Sequence, residues 1–320
     1  MTARRGRRFV RRLTDRISSK PPEEEETTWQ TIQLVRHPER PYTLDYIDRL
    51  FSDFEELHGD RSHGDDAAIV AGIARYGRGA VAVIGHQKGR DAQDRVFRNF
   101  GMPGPEGYRK GMRVMGIAER LGLPVLTLID TPGAFPGAEA EKRGQGVAIA
   151  ASMRTMLRLD VPVIAVVIGE GSSGGALALG VADRVLMLEN ATYSVISPEG
   201  AAAILWRDAA KAPLAAAAFK PTAANCYRWG VTDVVVPEPA GGAHADPDEA
   251  ARLLDGYLHR SLRDLAALEP AERRRLRRER YRRIGAHREL ALGDGATMIT
   301  PPRSSNSDGA TAEPAKEKTD

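Results

Sequence analysis

Cysteine is almost absent from this sequence: its 320 residues hold only Cys226. One thiol closes no internal disulfide and supplies no paired-cysteine zinc site, which excludes a disulfide-stapled scaffold and a zinc ribbon within the chain. Aromatic residues make up only 6%, and the longest apolar run, Val161 to Ile168, is far too short to span a bilayer. Phe9 and Val10 form no secretion-signal core, and no small-residue cleavage site follows them. No G-x-x-x-x-G-K-[ST] phosphate cradle occurs anywhere. These absences set aside a membrane-spanning protein, an exported one and a P-loop nucleotidase, and a cytoplasmic location is expected.

The charge that is present gathers at the ends. Residues 1–20 carry seven Arg and one Lys against Asp15, and residues 271–290 carry nine Arg against Glu272, Glu279 and Glu289. With a total of +3, ends at +7 and +6 leave the body at −10. An acidic body argues against a nucleic-acid-binding core, although basic ends suit salt-sensitive phosphate contacts. The Arg-rich stretch from Glu272 to Arg288 is expected to be a solvated helix or the cover of a subunit surface. Residues 1–28 read as a flexible arm, basic then acidic, and 291–320 as a disordered tail, leaving one domain over 29–290.

Within the domain, Leu44, Ile47, Leu50, Phe51 and Phe54 recur at helical spacing and predict a helix over 43–57. Strands are expected over 67–75 and 80–86, then a helix over 105–121. A regular rhythm follows: strand 124–129, helix 144–158, strand 162–168, helix 174–182, and strands 184–188 and 192–196. Ser197-Pro198-Glu199 opens a further helix with an N-cap and a first-turn proline. Strand 233–236 and helices 247–265 and 272–284 close the domain. Cys226 is expected as a small buried residue on a helix. Apolar strands alternating with helices predict an α/β fold with buried strands, and the extra strands fit a spiral of strand–strand–helix units with flanking helices.

The segment Gly169-Glu170-Gly171-Ser172-Ser173-Gly174-Gly175 follows an apolar strand and supports three readings. Gly169, Gly171 and Gly174 satisfy the dinucleotide pattern G-x-G-x-x-G, with Glu189 at the spacing of a ribose-binding acid. Gly171, Ser173 and Gly175 satisfy the nucleophile elbow G-x-S-x-G, which needs an orienting base; the downstream histidines are His244, His259 and His287. The third reading is an oxyanion hole, because glycines at a helix start leave N–H groups bare and let a ligand oxygen approach. A tight turn without a ligand is the plain alternative. Asp130-Thr131-Pro132-Gly133 imitates a GTPase D-x-x-G, but no phosphate cradle accompanies it. The loop from Asp130 to Gly137 is instead a second wall poor in side chains, on the same sheet edge.

Several segments in order resemble the alpha-subunit family of bacterial acetyl-CoA carboxylase carboxyltransferases. They are Arg40 to Tyr46, Gly85-His86-Gln87-Lys88-Gly89-Arg90, Asn99 to Pro103, Pro105 to Lys110, Ile129 to Gly137, Ile168 to Gly180, Thr192 to Gly200 and Pro237 to His244. The resemblance runs roughly from Thr31 to Ile284. It implies a crotonase-like fold and an assembly of two alpha and two beta subunits, with zinc on beta and no metal here. It also implies a split active site, acetyl-CoA held mainly by beta and carboxybiotin, borne on a biotin carboxyl carrier protein, mainly by alpha. In the chemistry that the resemblance implies, the ureido anion left when carboxybiotin releases CO₂ takes a proton from acetyl-CoA, and the enolate captures CO₂ to give malonyl-CoA for fatty acid synthesis. No His, Ser or Cys base is then needed, and the family pattern puts the backbone oxyanion donors at Gly174 and Gly175.

Gly133, Gly171, Ser173 and Tyr193 are expected beside the substrate, with Ser194 next to Tyr193. Lys88 and Arg90 are candidates for a CoA phosphate, the biotin carboxylate or the carrier, with surface ion pairing as the alternative. Tyr108, Arg109 and Lys110 read as the solvated start of a helix, with partner contact as the other option, and Glu199 as a first-turn helix residue. Ser172 stands where the family usually has glycine. The region before Thr31 is short and unusually basic, and 219–227 departs from the family pattern. A carboxyltransferase for propionyl-CoA or another acyl-CoA is the nearest alternative, and a nucleic-acid-binding protein using its basic ends is the alternative of another class.

Overall fold

The computed structural model describes residues 22–285 and two short strands beyond them, β9 (His287–Glu289) and β10 (Thr297–Ile299), which pair with each other. Residues 1–21 of the expected arm lie outside the described residues, as does the expected tail apart from β10. Helices α1 (Pro22–Val35) and α2 (Thr43–Leu50) lead into an antiparallel meander, β1 (Ser52–Glu56), β2 (Ile69–Tyr76) and β3 (Gly79–His86). Helix α1 begins inside the stretch expected to be arm, and its Ile32 and Val35, three apart, are buried.

After α3 (Ala92–Phe97) and α4 (Pro105–Leu121) come β4 (Val125–Thr131), α5 (Ala138–Lys142), α6 (Gln145–Arg158) and β5 (Val163–Ser172). Then follow α7 (Ser173–Leu177), β6 (Arg184–Leu188), β7 (Thr192–Ser194), α8 (Pro198–Trp206), α9 (Ala212–Phe219), α10 (Ala223–Arg228) and β8 (Val234–Val236). Two long helices, α11 (Pro247–Ala266) and α12 (Pro270–Arg283), complete the domain.

The sheet runs β1-β2-β3-β4-β5-β6-β8, parallel from β3 onward. Strand β5 has two neighbours in succession: Ile164 to Val167 pair with β6, and Glu170 to Ser172 pair with β7. That shared strand makes the strand–strand–helix spiral. Every residue of β4 and β5 is buried, because helices cover both faces. Ile84 lies toward α4, where a Cβ at Gly111 would sit 3.5 Å from it; the next residue, Gly85, faces Thr43 of α2, and a Cβ there would lie 2.4 Å from Thr43 Oγ1. Among the described residues no helix is long and apolar enough to cross a membrane.

The predicted helix 43–57 stops at Leu50. Phe51 is extended, and the chain turns into edge strand β1, where Phe54 packs under Gly72 and a Cβ at Gly72 would lie 2.7 Å from the ring. Pairing with β2 thus overrides a local helical spacing. The start of α4 is not solvated: Tyr108 and Lys110 are buried, and Lys110 Nζ donates to Asp65 Oδ1 at 2.6 Å and to the Asp66 carbonyl at 2.8 Å. Arg109 joins Asp60 and Glu106.

The Arg-rich helix α12 is likewise not a plain solvated face. Arg277 is buried, pairs with Asp183 at 2.7 Å, and donates to the carbonyls of Met156, Leu159 and Val161 at the exit of α6. Arg273 does the same for Leu265, Leu268 and Asp160. Carbonyls at a helix end have no intrahelical donor, and these guanidinium groups supply one. A second buried pair, Arg40 with Glu238, joins α2's approach to the loop after β8 at 2.6 Å, and Arg40 Nε donates to the Ile168 carbonyl at 3.0 Å.

Removing one member of a buried pair leaves the other unpaired. Arg277→Met is therefore expected to lower the unfolding free energy by about 3–5 kcal/mol in urea denaturation, and a change under about 1 kcal/mol would contradict the role given to it. Burial alone raises the Glu238 pKa, but the hydrogen bond and charge of Arg40 outweigh it and hold the carboxyl below its ordinary value of 4.5. Such a group stabilises the fold above the unfolded value, and that contribution is lost as pH falls through the folded one. The urea midpoint should therefore fall as pH drops below about 4.5, and less steeply in Glu238→Gln.

Candidate active site

The carboxyl ends of β4 and β5 meet at one edge of the sheet, and two glycine-bearing turns leave them. The first is rigid. Thr131 Oγ1 donates to the Gly101 carbonyl at 2.7 Å, the Phe135 N–H donates to Pro103 at 2.9 Å, and Gln145 Nε2 donates to the carbonyls of Pro103 and Phe135 at 2.8 and 3.0 Å. Gly133 in this turn has φ +144°, a conformation that favours glycine.

The second turn packs against the first through missing side chains. A Cβ at Gly175 would lie 2.5 Å from Ala134 N and 2.6 Å from Gly133 C, so the two backbones touch directly. A Cβ at Gly169 would lie 2.3 Å from Asp130 Oδ1, and one at Gly171 would lie 2.7 Å from the Tyr193 ring. Gly174 differs. Its nearest neighbour would be Ile149 at 3.5 Å, an ordinary contact, and it lines a pocket of about 270 Å³ with Ser173, Leu177, Tyr193, Val195 and Val231. Among the predicted residues, the fold thus gathers Ser173, Gly174, Tyr193 and Ser194 at one pocket, with Gly171 packed against the Tyr193 ring and Gly133 and Gly175 forming the contact between the turns.

Helix α7 spans only Ser173–Leu177, shorter than the predicted 174–182. The N–H groups of Gly174 and Gly175 fall in its first turn, where no preceding carbonyl of the helix can accept them. The Ser172 side chain does not cap them, and its buried hydroxyl has no partner among the described residues.

The competing readings of the motif find little support. Ser173 does adopt a left-handed φ of +58° and is exposed, as an elbow serine would be. Yet no histidine among the described side chains bonds to it. His86 is buried on β3 with a pKa of about 3 imposed by burial, His244 stacks on His37 at 3.8 Å, and His259 stacks on Tyr76 at 4.5 Å. For the dinucleotide reading, α7 is too short, and Glu189 accepts from Glu238 N–H at 3.2 Å. Cys226 is buried on α10, and burial pushes its thiol up to about 12. Among the described residues, no three His, Cys, Asp or Glu side chains are grouped to hold a metal ion.

Lys88 and Arg90 stand apart from the pocket. The Lys88 ammonium, with 15% of its side chain exposed, lies 2.6 Å from Asp130 and 3.5 Å from Glu170. Burial lowers its pKa, but those two carboxylates outweigh burial and raise it, so it stays charged. Arg90 donates to the carbonyls of Pro38 and Arg40 at 2.8 and 3.0 Å, pairs with Asp45, and lies 4.2 Å over the Tyr42 ring. Sequence reasoning missed Asp130, Glu170 and Arg36 as a connected set. Arg36 bridges Glu170 and Glu199, each at 2.7 Å. The available signal was a charged Glu170 inside a run that is otherwise apolar or glycine.

Comparison with known proteins follows the same lines. A family model described as acetyl co-enzyme A carboxylase carboxyltransferase-like matches residues 10–285. The alpha subunit of acetyl-coenzyme A carboxylase carboxyl transferase from Thioalkalivibrio sulfidiphilus is 54% identical over 88% of this chain and 86% of its own length. The same subunit from Geobacter sulfurreducens is 58% identical over 80% of this chain and 79% of its own. Among solved structures, transcarboxylase 12S aligns with TM-score 0.53 at 23% identity, over 67% of this chain and 41% of its own. The Pseudomonas malonate decarboxylase MdcD–MdcE heterodimer aligns with TM-score 0.54 at 20% identity, over 68% of this chain and 92% of its own. These two likenesses concern the fold alone, the crotonase-like spiral. With a family match across most of its length and relatives more than half identical, the chain belongs to the family of acetyl-CoA carboxylase carboxyltransferase alpha subunits.

Proposed function

We propose that this chain forms the carboxybiotin side of a split carboxyltransferase site, completed by a beta subunit that holds acetyl-CoA. Two alpha and two beta chains would form the working assembly, in the cytoplasm, with carboxybiotin delivered on a biotin carboxyl carrier protein and malonyl-CoA as product. The observation that carries this reading is the turn at Gly174 and Gly175. Its N–H groups have no helical acceptor, and the pocket beside it is lined mainly by apolar atoms, which suits a fused bicyclic ring.

The chemistry asks the protein to stabilise oxygen atoms that gain negative charge and to keep water out. Backbone N–H groups do this without reorganising, because they are fixed before substrate arrives. Helix α7 has only five residues, so the favourable potential comes from the local N–H groups and not from a long helix dipole. Tyr193, held against Gly171, shapes one wall of the pocket, and Ser173 borders its mouth. Leu177 and Val195 are 42% and 73% exposed at this rim, an apolar face suited to a second chain. Lys88 and Arg90 are given no substrate contact, because their charges already have partners within the chain.

Gly174 is the cleaner test position, since a side chain at Gly175 would also push the two turns apart. In the complex with its beta subunit, Gly174→Val is expected to cut malonyl-CoA formation by about 10²–10³-fold while gel filtration still shows assembly. Ser173→Gly, which removes the hydroxyl and suits the left-handed backbone, should stay within about threefold of the parent. Near-parental turnover in Gly174→Val would refute the oxyanion assignment, and a collapse in Ser173→Gly would revive the nucleophile.

A further inference from the structure

The ladder between β4 and β5 is regular from Val125↔Val163 to Ile129↔Val167, and then jumps to Thr131↔Gly171. Two residues on β4 are thus matched by four on β5, so β5 bulges just before the glycine turn. A bulge leaves a backbone group without its ladder partner, and here the Glu170 N–H donates to Asp130 Oδ1 at 2.8 Å. The carboxylate fits only because Gly169 has no side chain. The same oxygen accepts from Lys88 Nζ at 2.6 Å, and Lys88 also reaches Glu170 Oε2 at 3.5 Å. Asp130 and Glu170 would otherwise be two largely buried carboxylates side by side, with 1% and 9% of their side chains exposed. Glu170 in turn holds Arg36 at 2.7 Å, and Arg36 holds Glu199 at the start of α8.

The bulge decides where the second turn sits. It carries Gly171 and Ser172 across to β7 and sets Gly175 on the backbone of Gly133 and Ala134. We infer that Lys88 and Asp130 are positioning residues for carboxyl transfer, locking the β5 bulge so that the Gly174–Gly175 N–H groups keep their aim. This inference rests on the oxyanion reading proposed above. It assigns Lys88 a role inside the protein instead of one on a phosphate or a biotin carboxylate, and it explains an Asp130 that imitates a GTPase motif. In this role both residues act through the backbone they hold and not through contact with substrate.

The test uses the alpha–beta complex and steady-state kinetics with acetyl-CoA and a carboxybiotin donor. Lys88→Met keeps the length of the side chain and removes its charge. Asp130→Asn keeps an oxygen for the Glu170 N–H and removes the charge facing Lys88, so it decides the matter if Lys88→Met does not fold. Each is expected to lower kcat by at least about 30-fold with KM for acetyl-CoA within about twofold, in a complex that assembles normally. The double variant, with both charges gone, should be no slower than the worse single, because the two act as one unit. Single variants with kcat within about threefold of the parent, or losses accounted for by failed assembly alone, would overturn the inference. Gly174→Val is measured alongside: if it is active, the oxyanion reading itself has failed. If it is inactive while Lys88→Met and Asp130→Asn are near normal, only the positioning role is refuted.

Discussion

The site depends on one hydrogen bond in an otherwise regular ladder, from the Glu170 N–H to the Asp130 carboxylate. Parallel strands with unbroken pairing would send β5 straight past its neighbour. The bulge instead gives β5 a second partner, β7, and turns the chain so that two backbones meet at Gly133 and Gly175. Much of what looks like a ligand-binding glycine motif is the geometry of that meeting. Gly169 makes room for Asp130, Gly171 for Tyr193 and Gly175 for the facing turn, while Gly174 alone of the four has space within the chain and lines the pocket.

At both ends of the sheet, the carboxyl edge and the end where β5 and β6 begin, the protein uses buried charge where a simpler design would use apolar packing. Arg40 with Glu238 and Arg277 with Asp183 each join segments far apart in sequence, and each guanidinium also satisfies strand or helix-end carbonyls. Desolvating a charge costs several kcal/mol, and only good geometry with further hydrogen bonds offsets it. Both pairs have that geometry. Glu238 additionally accepts from Asn190 N–H at 3.0 Å and Ala243 N–H at 2.7 Å, so one carboxylate organises the loops after β6 and β8.

The α/β spiral was legible in the sequence because β4 and β5 are continuous apolar runs and α4 is bounded by Pro105 and Gly122. The glycine turn was legible for the same reason: it directly follows such a run. What escaped reading depended on partners distant in sequence. Phe51 and Phe54 sit at helical spacing, and only pairing with β2 shows that they end a helix and enter a strand. Arg273 and Arg277 sit among six other arginines on α12, and nothing local distinguishes the buried pair from the solvated ones. Lys88 and Arg90 look alike as cations after a strand, yet one lies beneath the bulge and the other clasps Asp45. Sequence shows that charge is available, whereas topology decides what it faces.

The proposed half-site has a direct consequence: the turn, its pocket and the exposed Leu177 and Val195 should do nothing until a second chain brings acetyl-CoA to them. The decisive measurement is malonyl-CoA formation from acetyl-CoA with a carboxybiotin donor, for this chain alone and for the chain with its beta subunit. The account predicts turnover only in the mixture. Turnover by the isolated chain, or a stable alpha–beta complex that makes no malonyl-CoA, would contradict it.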